Sequence, residues 1–138
     1  MHNLTPLEYN VNTDDPKDIV FKALEGAHEK VELVGPGGSR RVLVAIAPTP
    51  SARGSILLPS KSKGEARFQG KVGLVIRVGE NAFKYDGPYE YKGATPAVGD
   101  WVVFRPADSW ETGVNGVLCR WIRDELIIAR VNTPEDVY

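Results

Sequence analysis

Two histidines, His2 and His28, and one cysteine, Cys119, are the imidazole and thiol side chains of this 138-residue chain. Neither histidine stands at ligand spacing from a carboxylate cluster, so both read as plain surface residues rather than metal ligands. A lone cysteine can form neither an intrachain disulfide nor a cysteine-based metal cluster. Set in an alternating apolar run, Cys119 reads as a small buried residue. Gly35-Pro36-Gly37-Gly38-Ser39 has the glycine content of a phosphate-binding loop but lacks the lysine-hydroxyl ending such loops require. Asp100, after Val98-Gly99, is a turn former. Tyr85, Tyr89 and Tyr91 could stack bases, yet Lys84 and Lys92 are their only basic neighbours, and Asp86 and Glu90 cancel them. No catalytic residue, metal or cofactor is expected, and the chain does not read as an enzyme.

The chemistry that remains is binding. Residues 48–63 (PTPSARGSILLPSKSK) are rich in proline and serine, with Ile56-Leu57-Leu58 in the middle. Pro48, Pro50 and Pro59 oppose both a helix and a central strand, because proline lacks an N–H and fixes φ. The serines, lysines and glycines bring little apolar surface to offset ordering entropy. Three adjacent aliphatics in such a segment either fold back onto the core or are presented to a partner. Between Ala47 and Gly64 there is no acid, while Arg53, Lys61 and Lys63 make the segment basic, a charge that would steer it towards an acidic surface.

The elements around this segment divide in two. Residues 1–13 read as an extended arm with Leu4, Leu7, Tyr9 and Val11 as anchors. Asp14-Asp15-Pro16 predicts a helix start, with an Asx cap and a proline in the first turn. Ile19, Val20, Ala23 and Leu24 would form its apolar face, and Gly26 its stop. Val31-Glu32-Leu33-Val34 is a candidate strand, and residues 35–38 a turn or hinge. From Arg40 the pattern is β. Strands are expected at residues 41–46, 69–79, 101–104, 117–121 and 126–131, with turns at 98–100 and 113–116 and a long connection at 80–97. The glycines of the second of these suggest sharp bends or close backbone approach. Short strands with frequent turns predict a small closed or nearly closed barrel over 40–138, preceded by an N-terminal extension, 1–39.

Composition fits an ordinary soluble domain, with 42% hydrophobic and 25% charged residues and a net charge of −1. That balance argues against a dedicated nucleic-acid or membrane-surface protein. Charge is uneven, however: residues 1–39 hold seven acids against three lysines, leaving the remainder basic by three. No apolar run reaches membrane-spanning length and the opening residues do not read as a signal peptide. The cysteine usage predicts a reducing cytoplasm, or a particle assembled in one.

The order of several fragments resembles the GroES-type co-chaperonin family, including its bacteriophage-encoded members. The fragments are Arg41-Val42-Leu43-Val44, Gly54-Ser55-Ile56-Leu57-Leu58-Pro59, Gln69-Gly70-Lys71-Val72 and Val75-Ile76-Arg77-Val78-Gly79. They are followed by Val98-Gly99-Asp100-Trp101-Val102-Val103-Phe104 and Asp124-Glu125-Leu126-Ile127-Ile128-Ala129-Arg130-Val131. Together they cover residues 40–132, and Val78-Gly79-Glu80-Asn81-Ala82-Phe83 resembles the phage versions in particular.

The resemblance implies a GroES-like, partly closed β-barrel with a long mobile binding loop at 47–64 and a roof-type insertion at 80–97. It implies a homo-oligomeric ring, usually of seven copies, that caps a GroEL-type chaperonin in the bacterial cytoplasm during ATP-driven folding. Phage capsid protein is the expected client. The docking residues would be Gly54, Ser55, Ile56, Leu57, Leu58 and Pro59. Protomers would join near Val42, Leu43 and Val44 of one strand and Leu126, Ile127 and Ile128 of another. Two features depart from the family. The acidic extension 1–39 has no counterpart in cellular members, and residues 106–112 lack the short glycine-aromatic-glycine turn. Trp110 there reads as core or interface packing; exposed, it would be a binding anchor. The rival reading is a virion protein on the same fold, whose loop grips a capsid or neck subunit. A small nucleic-acid-binding barrel is less favoured by the charge.

Overall fold

A computed structural model describes residues 7–50, 71–84 and 95–134. The helix forms where its capping signals lie. Asp15 Oδ1 accepts the Lys17 N–H at 3.0 Å, and Pro16 takes the first helical position, where a missing N–H costs nothing. Helix α1, Pro16–Leu24, ends where Glu25 and Gly26 turn left-handed, at φ 51° and 77°. Val20 and Leu24, one turn apart on one face, are fully buried. A 3₁₀ turn, Ala27–Lys30, follows. It folds His28 back against α1, leaving the ring 7% exposed and 5.5 Å from that of Phe21. The surface position expected for His28 is thereby corrected. Residues 31–34 form no strand. Instead of joining a ladder, the Val31 carbonyl accepts the Arg77 Nε–H at 2.9 Å.

The described residues form eight strands in chain order: β1 Glu8–Tyr9, β2 Arg41–Ile46, β3 Thr49–Pro50, β4 Val72–Val78, β5 Trp101–Phe104, β6 Ser109–Val114, β7 Val117–Arg123 and β8 Ile127–Val131. β1 and β3 form a short parallel pair. The other six make one sheet in the order β6-β7-β2-β4-β5-β8, every neighbouring pair antiparallel. β6 is a strand beyond those expected from the residue pattern. It is joined to β7 by Asn115-Gly116, both at positive φ, the two-residue turn whose twist matches a hairpin. Of the closed or nearly closed barrel expected from strand spacing, the described residues show no closure. The sheet is open, and among the described residues its edges, β6 and β8, do not pair with each other.

Central strands bury both faces, which explains why β2 is an unbroken apolar run rather than an alternating one. On one face Leu43, Ala45, Leu74, Trp101 and Cys119 pack with Val20 and Leu24 of α1. On the other, Val42, Val44, Val75, Phe104 and Ile122 pack with Ala82 and Phe83. The helix therefore shares a core with the sheet. Gly73 of β4 leaves room for side chains of the strands on either side of it: a Cβ there would lie 2.9 Å from the Val44 side chain and 3.1 Å from that of Phe104. Among the described residues no helix is long and apolar enough to cross a membrane.

Candidate functional site

The candidate docking residues Gly54, Ser55, Ile56, Leu57, Leu58 and Pro59 lie outside the described residues, as do His2, Tyr85, Tyr89 and Tyr91. What the structure defines is how the segment bearing them is mounted. Chain leaves β2, and Ala47 N–H donates to the Val72 carbonyl at 2.9 Å, locking the departing strand to the returning one. Two residues on, Thr49 N–H donates to the Leu7 carbonyl at 3.0 Å, and β3 lies against β1. Tyr9 of β1 is 2% exposed, so the arm is anchored by its own buried aromatic. On the return side the Lys71 carbonyl accepts the Phe104 N–H at 2.9 Å. The described residues that flank 51–70 are thus held, Ala47 to Val72 on one side and Lys71 to Phe104 on the other, with the N-terminal arm bracing β3.

The long connection after β4 is anchored in the same manner. Gly79 N–H donates to the Arg41 carbonyl and Asn81 N–H to the Ser39 carbonyl, both at 2.9 Å. The Asn81 side-chain amide donates to the Gly37 carbonyl. Gly79 is required here, because a Cβ would fall 2.3 Å from the Ser39 carbonyl oxygen. Phe83, held at φ 63°, donates its N–H to Asp124 Oδ2 at 2.7 Å. Where the connection returns, Asp100 Oδ2 accepts the Ala97 N–H at 2.9 Å, the turn role expected of it. Asp100 also meets Arg130 at 3.5 Å beside Lys17, in a small open polar cleft of about 220 Å³.

The six residues expected at a protomer interface fall in different environments. Val42, Leu43 and Val44 are 0% exposed, in a strand bonded on both edges, and pack entirely within their own chain. Leu126 and Ile127 pack against the second apolar cluster, whereas Ile128 is 64% exposed on edge strand β8. Trp110 is 79% exposed on the opposite edge, which removes the core alternative for it. Sequence reasoning missed β6 and hence the position of Trp110 on an edge. The only local signal was Asn115-Gly116, whose spacing implies a strand on each side.

Reactive chemistry is subdued. Burial pushes the Cys119 thiol up to about 12, a hydrogen bond with the Val114 backbone pulling the other way. Among the described residues no group of three or more His, Cys, Asp or Glu is placed to hold a metal. No protein-family model and no curated protein matches the chain.

Proposed function

We propose that this chain is a non-catalytic subunit of a co-chaperonin-like ring, bacteriophage-encoded, that caps a GroEL-type chaperonin and docks through Ile56, Leu57 and Leu58. The observation that supports it best is the mounting of residues 51–70. A basic, proline-bounded segment carrying three adjacent aliphatics springs from two strands cross-bonded at Ala47 and Val72. A rigid base presenting an aliphatic triplet suits a binder whose individual contacts are weak and whose copies act together, since several loops on one ring regain as avidity what each loses in ordering. Binding and hydrolysis of ATP belong, on this reading, to the chaperonin. The fold is then a GroES-like barrel left open in the single chain, with residues 80–97 over the central opening.

The test is capture of the full chain by a GroEL-type chaperonin with and without ATP. Nucleotide-dependent capture supports the proposal. Absence of capture by a properly assembled protein, together with recovery of the chain from washed phage particles, would replace it with a structural role in the virion.

A further inference from the structure

Among the described residues the sheet has six strands, and every neighbouring pair is antiparallel, so its two edges run in opposite directions. An even count has a geometric consequence. If a second copy is placed beside the first in the same orientation, β8 of one meets β6 of the other antiparallel, and each face of the sheet continues onto the corresponding face. Head-to-tail copies would therefore extend one regular antiparallel sheet.

Neither edge carries a proline or a lysine, two common guards against such pairing. Of the five exposed large hydrophobics among the described residues, one lies on each edge, Trp110 on β6 and Ile128 on β8. The edges also carry opposite charge, Glu111 on β6 and Arg130 on β8. We infer that copies of this chain join head to tail through β6 of one and β8 of the next, antiparallel, with Glu111 opposite Arg130.

That register satisfies the faces as well as the charges. Arg130 is the partner of Val102, and Glu111 that of Arg120, which pairs with Val44; Val44 and Val102 line the second cluster. On the other face Trp110 meets Val131, both on the helix-covered side, since Trp121 opposite Trp110 and Val131 itself pack on the first cluster. Ile128, at the irregularity in β8, comes opposite Gly113, which has no side chain to obstruct it. Sliding by two residues preserves the faces but sets Ile128 against Glu111 in one direction and Asn115 in the other. The Arg130 contact with Asp100 is long, at 3.5 Å, and leaves the remaining guanidinium nitrogens for Glu111. This inference deepens the ring reading by naming its joint, and it replaces the buried β2 residues with β6. It does not depend on what the ring binds.

Two measurements on the full chain test it. Light scattering should give a multiple of the 15.1 kDa chain mass, reduced to a single chain by Glu111→Arg. Separately prepared Thr112→Cys and Ala129→Cys chains, mixed and oxidised, should form a disulfide joining one of each. A wild type that stays at one chain mass up to its solubility limit overturns the inference. So does an oligomer that gives no mixed disulfide, because its copies then join elsewhere. An intrachain disulfide in the Thr112→Cys/Ala129→Cys double variant at high dilution also overturns it, since the sheet would then close on itself. Failure of chaperonin capture by an oligomer that does form the mixed disulfide would sink the functional proposal and leave this joint standing.

Discussion

The carboxylate of Asp124, 1% exposed, accepts the backbone N–H of Phe83 at 2.7 Å across 41 positions of sequence. Its other oxygen accepts the Glu125 N–H at 2.7 Å. One buried side chain therefore fixes a 3₁₀ turn, Asp124–Leu126, and the start of the long connection after β4. Phe83 holds a left-handed backbone there while its ring fills the second cluster. Such a conformation costs an aromatic residue on the order of 1–3 kcal/mol and persists where its surroundings fix it.

Removing the acceptor should therefore release the connection. Asp124→Ala is expected to lower stability by about 1–3 kcal/mol, the cost of leaving buried donors unmet. Asp124→Asn, which keeps an oxygen, should lose less. Urea unfolding of the two variants checks the order; equal losses would show that the hydrogen bond to Phe83 contributes little.

Gly79 and Gly26 separate two reasons for glycine. An alanine at Gly79 would press on the backbone oxygens of Ser39 and Arg41, at 2.3 and 2.7 Å. At Gly26 nothing lies within 4 Å and only the left-handed φ of 77° opposes a side chain. Gly26→Ala should cost about 1 kcal/mol. Gly79→Ala should reach or exceed the upper end of the roughly 1–3 kcal/mol expected for overpacking, because backbone cannot move aside as a side chain does. Thermal denaturation of the pair measures the gap.

The arm should matter to the loop base. Tyr9→Ala removes a buried aromatic at a cost of about 3 kcal/mol or more. It should also speed hydrogen exchange at Thr49, whose N–H bonds the Leu7 carbonyl, more than at Ala47, whose partner is Val72. Equal acceleration at both amides would mean that the arm does not brace β3 specifically.

Cys119 supplies a pH dependence. The fold raises its thiol from 9.0 to about 12, so the native state holds the proton more tightly than the unfolded chain. Stability from this group is fully present below about pH 9 and is lost as pH rises towards 12. Denaturation midpoints should fall over that interval, and Cys119→Ala should flatten the fall. A thiol reagent at about pH 8 should react only as fast as the protein opens.

Much of this architecture was legible where its cause is local. Asp15 and Pro16 mark the start of α1, and the β-branched run at residues 41–46 marks β2, because capping and burial leave their signature in adjacent residues. β6 was not legible: Trp110 and Glu111 are both exposed and Gly113 interrupts the run, so nothing alternates. The burial of His28 is not legible locally, because it depends on a ring seven positions away and on the 3₁₀ turn that carries His28 itself. Barrel closure is not legible in strand spacing, because spacing does not fix whether the edge strands of a sheet meet. As for the candidate site, the aliphatic triplet is visible as composition. Its mounting is not, since the Leu7–Thr49 and Ala47–Val72 bonds join distant parts of the chain.

The measurement that bears most directly on the functional proposal is chaperonin capture by the wild type and by Ile56→Ser/Leu57→Ser, with light scattering on each. The proposal predicts ATP-dependent capture by the wild type, lost in the double variant while its mass in solution is unchanged. Capture that survives the double substitution would take the aliphatic triplet out of the contact, and no capture by the assembled wild type would contradict the co-chaperonin reading itself.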